Sequence, residues 1–147
     1  QQPNNNMYGQ QQQPNNMYGQ QQQYGQQQYG GNNLTYGQRI ELHHIHTRSQ
    51  RLHSHQINLK SGSYQQQVTC WEGHDLGDAW VIKPAHGVPL NSKQGQPVLY
   101  GDIVVLEHFN TRKNLHSHIM QSEVTKQQEV TCFGDNGIGD GNDNWRI

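Results

Sequence analysis

Leu52-His53-Ser54-His55 and Leu115-His116-Ser117-His118 are one tetrapeptide occurring twice, and the residues around it repeat as well. Upstream, Tyr36-Gly37 and Thr47-Arg48 return as Tyr100-Gly101 and Thr111-Arg112. Downstream, Val68-Thr69-Cys70 returns as Val130-Thr131-Cys132, and Trp80 returns as Trp145. The offset is 64 residues at Tyr-Gly and Thr-Arg, 63 at Leu-His-Ser-His, 62 at Val-Thr-Cys and 65 at the tryptophans. Blocks in the same order with small changes of spacing mark an internal repeat in which strands are fixed and loops vary.

Each copy reads as four short strands. Ile40–Ile45 alternates, with Ile40, Leu42 and His44 on one face. Its counterpart, Ile103-Val104-Val105-Leu106, is a purer apolar run ending at Phe109. Polar turns lead to second strands at Leu52–His55 and Leu115–His118, and further loops to third strands at Val68–Trp71 and Val130–Phe133. Gly/Asp-rich turns precede the fourth strands, Trp80–Ile82 and Trp145–Ile147. No stretch has helical spacing, so the pattern predicts an all-β, barrel-like fold.

Composition divides the chain. Residues 1–33 hold only Gln, Asn, Pro, Met, Tyr and Gly, while residues 34–147 carry all ten Lys/Arg, all eleven Asp/Glu and all ten His. The first part is itself periodic, with Met7-Tyr8-Gly9 recurring as Met17-Tyr18-Gly19. With too little apolar surface to offset ordering, it reads as a flexible Gln-rich arm. Its Gln/Asn and Tyr content also suits β-type self-association, so assembly through the arm is a second reading. At the junction, Asn33-Leu34-Thr35 is a sequon that makes Asn33 a candidate glycosylation site.

A net charge of −1 and a pI near 6.9 offer nucleic acid or an acidic membrane no electrostatic footprint. No apolar run approaches the roughly 20 residues of a membrane span. Beginning at Gln1 rather than Met, the sequence reads as a processed chain or a fragment, and a signal peptide is compatible with it.

Tyr-Gly, Thr-Arg, Leu-His-Ser-His, Gln-Gln-x-Val-Thr and Asp-x-Trp, twice over between residues 36 and 147, resemble the MIR domain. That family is named for protein mannosyltransferases, inositol-trisphosphate receptors and ryanodine receptors. Within it, the chain is most similar to the luminal loop of protein O-mannosyltransferases and to soluble proteins related to stromal cell-derived factor two. The resemblance implies a β-trefoil of three four-stranded units for residues 34–147. Only two are read here, over 36–85 and 99–147, with a third missing, so the sequence is either a fragment or completed by another chain. An open barrel would turn Val104, Leu106 and Trp145 toward water, and exposed edges favour association.

Strand alternation places His53 with His55, and His116 with His118, each pair on one face. Such pairs suit Zn²⁺ or Cu²⁺, with a third ligand from His43, His44 or His46. The resemblance implies a structural role instead, with the rings bonding backbone while Leu52 and Leu115 fill the core. The reading adopted is no metal and no cofactor. Cys70 and Cys132, at matched positions, read as separate buried thiols. The acidic run Asp135–Asp143 reads as a turn, because it lacks the closing Glu and flanking helices of a calcium loop. Trp80 and Trp145 are expected in the core, with sugar stacking as the alternative. Arg48 and Arg112, each following Thr in a polar turn, are candidates for ligand contact, beside His53, His55, His116 and His118.

With no catalytic motif, the expected function is a non-catalytic module of the secretory pathway (endoplasmic reticulum lumen) or cell exterior. The resemblance implies glycan, glycoprotein or chaperone-type partners. The alternatives are a luminal piece of an O-mannosyltransferase and a structural subunit assembling through its arm.

Overall fold

A computed structural model describes residues 33–47 and 49–147. The arm over residues 1–32 and the candidate Arg48 lie outside the described residues.

The repeated tetrapeptide starts the second strand of each copy. β1 is Arg39–Ile40, β2 Arg51–Asn58, β3 Gln66–Trp71 and β4 Trp80–Pro84; β5 is Ile103–His108, β6 Asn114–Gln121, β7 Gln128–Phe133 and β8 Trp145–Arg146. β2 and β3 form an antiparallel hairpin with Leu52 opposite Cys70, His53 opposite Thr69 and Ser54 opposite Val68. β6 and β7 reproduce that register, with Leu115 opposite Cys132, His116 opposite Thr131 and Ser117 opposite Val130. In both hairpins the register slips after the serine, so the irregularity belongs to the repeat.

Within each copy the first strand pairs the fourth: β1 with β4, and β5 with β8. The copies join through β4 and β5, paired from Trp80–His108 to Pro84–Val104. They join again through the start of β3 and the end of β7, where Gln66 faces Cys132 and Gln67 faces Thr131. The result is one eight-stranded antiparallel sheet among the described residues, curled into a half-barrel. No α-helix occurs among them, and none of their helical turns is long and apolar enough to cross a membrane.

The core follows the period of two. In β4, Trp80, Ile82 and Pro84 are buried while Val81 and Lys83 alternate outward. Tyr36, Val104, Leu106, Leu115 and Cys132 complete the cluster around them. Trp80 is completely buried and its indole donates to the Leu52 carbonyl at 3.0 Å; the Trp145 indole donates to the Leu115 carbonyl at 2.9 Å. Each tryptophan thus ties its hairpin to its own fourth strand.

Matched residues nevertheless differ in burial. His108 is 0% exposed while His44 is exposed, and Leu106 is 8% exposed against 40% for Leu42. Cys132, Thr131 and Gln66 are buried, whereas Cys70, Thr69 and Gln128 are exposed. Every better-buried member sits at the junction between the two copies.

Four expectations are corrected by this arrangement. The first strand pairs β4 only over Arg39–Ile40; beyond it a single bridge, His43 to Arg51, ties the chain to β2, and Glu41–His44 lack a second neighbour of the kind β4 gives to β5. Val104 and Leu106 are buried, because β4 covers β5; Trp145 alone of the three named residues is half-exposed. Only Cys132 is a buried thiol, since Cys70 lies on the uncovered end of β3. Leu115 fills the core as expected, while Leu52 only packs against its rim.

Burial pushes the Cys132 thiol up to about 12, against a weaker pull from its bond to Ser54 Oγ at 3.6 Å. Burial also raises the Tyr36 hydroxyl to about 12, reinforced by its bond to Asp102 at 2.9 Å. Both acids ionise more readily unfolded than folded. Stability is therefore intact below the ordinary value of 9.0 for the thiol and falls as pH rises from there toward about 12. Cys132→Ala should flatten the thiol part of that alkaline slope. At neutral pH a maleimide should modify Cys70 rapidly and Cys132 only on unfolding; equal labelling rates would contradict the core assignment.

Candidate functional site

The histidine pairs lead to a buried polar cluster in each copy. Asp75 caps a 3-10 turn, Leu76–Asp78, and Asp140 caps its counterpart, Gly141–Asp143. In each turn the last aspartate bonds back to the backbone N–H of the first, closing a reciprocal capping box. That places Asp78 and Asp143, both 0% exposed, against the hairpins. His53 Nδ1–H donates to Asp78 Oδ1 at 2.7 Å, and His116 Nδ1–H to Asp143 Oδ1 at 2.8 Å. The partners are carboxylates, not the backbone groups expected. The missed signal was Asp-x-x-Asp-x-Trp, at Asp75–Trp80 and Asp140–Trp145, which places a buried acid two residues before the tryptophan that anchors the same hairpin.

The tetrapeptide serines are committed too. Ser54 Oγ donates to the Gln67 carbonyl at 2.7 Å and accepts from Gln66 Nε2 at 2.8 Å. Ser117 Oγ does the same with the Glu129 carbonyl and Gln128 Nε2. Neither hydroxyl is set up as an activated nucleophile, which would need a base accepting its proton.

His108 shows how the copies lock together. Its Nε2 faces the Gly77 carbonyl at 3.1 Å, which only accepts, so Nε2 carries the proton. Nδ1 then accepts from Thr111 Oγ1 at 2.7 Å and the Thr111 N–H at 3.3 Å. This pattern requires a neutral ring, and burial holds its pKa below the ordinary histidine value. Gln66 Nε2 reaches Thr111 from the other copy at 2.9 Å. In the first copy His44 repeats the bond to Thr47 Oγ1 at 2.8 Å, but its ring is exposed.

His53, His55 and Asp75 converge, as do His116, Asp140 and Asp143. Strand alternation does bring the rings of each His pair together, at centroid distances of 4.3 and 5.1 Å. The nitrogen facing the acids, however, is the one that donates its proton to Asp78 or Asp143, and a metal would have to break that buried bond. His118 instead contacts Glu129 at 3.5 Å, and His55 lies 3.7 Å from Asp75. Chelation of divalent ions is therefore expected to leave the thermal midpoint unchanged; a large drop would reveal a metal coupled to folding.

Arg112 adopts a left-handed backbone, φ 58°. Its Nε pairs with buried Glu107 at 2.7 Å, an acid that also holds Lys83 at 2.9 Å. Its side chain remains over half exposed, so it is anchored at Nε and otherwise open to solvent. Asn33 is exposed, as its sequon requires.

The MIR domain family model matches residues 50–147. The chain belongs to the MIR family. This MIR chain is 49% identical over 118 residues to a stromal cell-derived factor 2-like protein of Dictyostelium discoideum, covering 78% of itself and 54% of that relative. It is 39% identical over 118 residues to protein O-mannosyl-transferase 2 of Drosophila pseudoobscura pseudoobscura, covering 78% of itself and 16% of the enzyme. Among solved structures, the SDF2-like protein of Arabidopsis thaliana superposes with a TM-score of 0.71 at 43% identity, over 78% of this chain and 62% of that one. The MIR chain thus spans about half the length of the stromal cell-derived factor 2-like protein of Dictyostelium discoideum. With these neighbours, the half-barrel is two four-stranded units of a MIR-type β-trefoil.

Proposed function

We propose that the chain is a non-catalytic binding module that acts in the secretory pathway or at the cell exterior and contacts glycans, glycoproteins or chaperone-type proteins. The observation that carries this reading is the internal commitment of the repeated motif. His53, Ser54, Asp78 and Trp80, and their counterparts His116, Ser117, Asp143 and Trp145, are bonded to one another or to backbone. What the motif builds is a scaffold, and recognition is left to the loops and open faces around it. Kinship with both small stromal cell-derived factor 2-like proteins and mannosyltransferases supports a module that accompanies glycosylated or folding clients.

In the same reading, residues 34–147 are two units of a three-unit trefoil, completed by a third four-stranded unit. The uneven burial of matched residues supports this: each poorly covered position has a counterpart that is covered where the two copies meet.

The test incubates the intact chain with a dolichyl-phosphate-mannose donor and an acceptor peptide, and in parallel with immobilised secretory glycoproteins before and after deglycosylation. Saturable retention without sugar transfer is expected. Mannosyl transfer by this chain, or no retention on any client, would overturn the proposal.

A further inference from the structure

Comparison of the two copies separates residues required by the repeat from residues that depart from it. Two departures meet at one place. Unit one has Tyr64 where unit two has Lys126, both in the left-handed region at φ 58° and 60°. Unit two has six residues between Phe133 and Asp140, where unit one has three between Trp71 and Asp75. Tyr64 and this longer turn face each other across the junction, lining an open cleft of about 770 Å³.

Both lips are held rigidly. The longer turn closes on itself through reciprocal bonds of 2.8 Å between Asp135 and Ile138, with Asn136 and Gly137 at positive φ as a two-residue hairpin turn requires. Arg112 O accepts from the Gly137 N–H at 2.6 Å, and Lys83 Nζ donates to the Gly137 carbonyl at 2.5 Å. On the opposite lip, the Ser63 N–H donates to buried Glu129 Oε2 of the other unit at 3.3 Å. The Ser63 side chain is the main reason the Glu129 carboxyl lies below the usual glutamate range, with the Ser63 N–H adding a smaller pull. Tyr64 sits next to that anchor with its ring mostly exposed, in a conformation that strains a bulky residue.

Gln56, Tyr64, Gln65, Phe133, Asp135 and Ile138 line the cleft. Amide side chains donate and accept at once, and two aromatic rings beside Ile138 offer apolar faces. Lys113 is committed to the Gly134 carbonyl at 2.7 Å, so no free cation invites an anion. A floor atom, Gln66 Oε1, is buried without a hydrogen-bond partner. An extended peptide would need a free strand edge, but Gln66 and Gln67 are already paired with β7 here. We propose that this cleft is a saccharide-binding site for neutral hexose units, with Tyr64 as its stacking platform. This rests on the binding-module reading above and names the ligand and its seat.

The test follows amide shifts of the intact, isotope-labelled chain while maltotriose, cellotriose and mannotriose are added to millimolar concentration. Shifts concentrated at residues 64–66 and 133–139 are expected for at least one of them. Tyr64→Asn, which suits a left-handed backbone, should weaken binding at least about tenfold while raising the unfolding temperature. Tyr64→Phe and Lys126→Ala should bind as the parent does. Absence of binding, or binding unaffected by Tyr64→Asn, would overturn the saccharide site. Shifts confined to another face would overturn this cleft yet leave the binding-module reading standing, whereas failure on glycoprotein clients as well would remove both.

Discussion

Trp80→Ala is expected to destabilise the protein by about 3–5 kcal/mol, the usual loss for a truncated buried aromatic. The ring is completely buried, packs on His108 at a centroid distance of 5.0 Å and donates to the Leu52 carbonyl. Its removal leaves a cavity at the junction of the two units, together with an unpaired carbonyl on β2. A total stability of about 5–15 kcal/mol is typical of a domain, so this single change should bring the chain close to unfolding. Trp145→Ala removes a similar bond, but from a half-exposed ring, and should cost clearly less. Urea unfolding of both variants checks the pair. A loss under about 1 kcal/mol at Trp80 would contradict the core; equal losses would show that Trp145 is covered in solution.

A third four-stranded unit, joined to the chain or supplied beside it, is expected to raise stability by several kcal/mol and to suppress self-association. Its contacts follow from the junction already present. His108 bonds the Gly77 carbonyl and Gln66 bonds Thr111 across units one and two. The equivalent groups His44 and Gln128 are exposed and would find the matching carbonyl and threonine on a third copy. Leu42 at 40% exposure and Val130 at 45%, with the half-exposed Trp145, would gain cover worth about 1 kcal/mol each. The stretch after Ile40, bridged only on its β2 side, and the exposed end of β3 leave free edges of the kind that recruit other strands. Residues 34–147, prepared with and without the Gln-rich arm, should therefore associate as concentration rises. Light scattering that found stable, well-folded monomers at high concentration would sink this expectation, because two units would then close by themselves. If only the form carrying the arm associates, the arm is the assembly element.

The repeat was legible in the sequence because strand geometry is local. Alternation within Leu-His-Ser-His put His53 beside His55 and His116 beside His118, and tertiary context changed neither pairing. Turn chemistry is equally local, and the Gly/Asp-rich stretches read as turns; that Asp-x-x-Asp caps them at 75–78 and 140–143 and buries its second acid is seen only in the structure. The order of the blocks was enough to assign an all-β fold and to recognise the MIR pattern. Burial was not legible, since identical letters received different environments. Cys70 and Cys132 lie in the same Val-Thr-Cys motif, yet one is exposed and the other has a thiol pushed up to about 12. The difference is whether a neighbouring unit covers that end of the strand, a contact between residues 66–67 and 131–132 that no local period encodes. For the same reason the alternation of Ile40–Ile45 predicts a longer strand than the Arg39–Ile40 segment that pairs with β4, since beyond it only the His43–Arg51 bridge remains. The candidate cleft is likewise tertiary. Tyr64 and the Asp135–Ile138 turn are far apart along the chain, and they become one surface only because β3 pairs with β7.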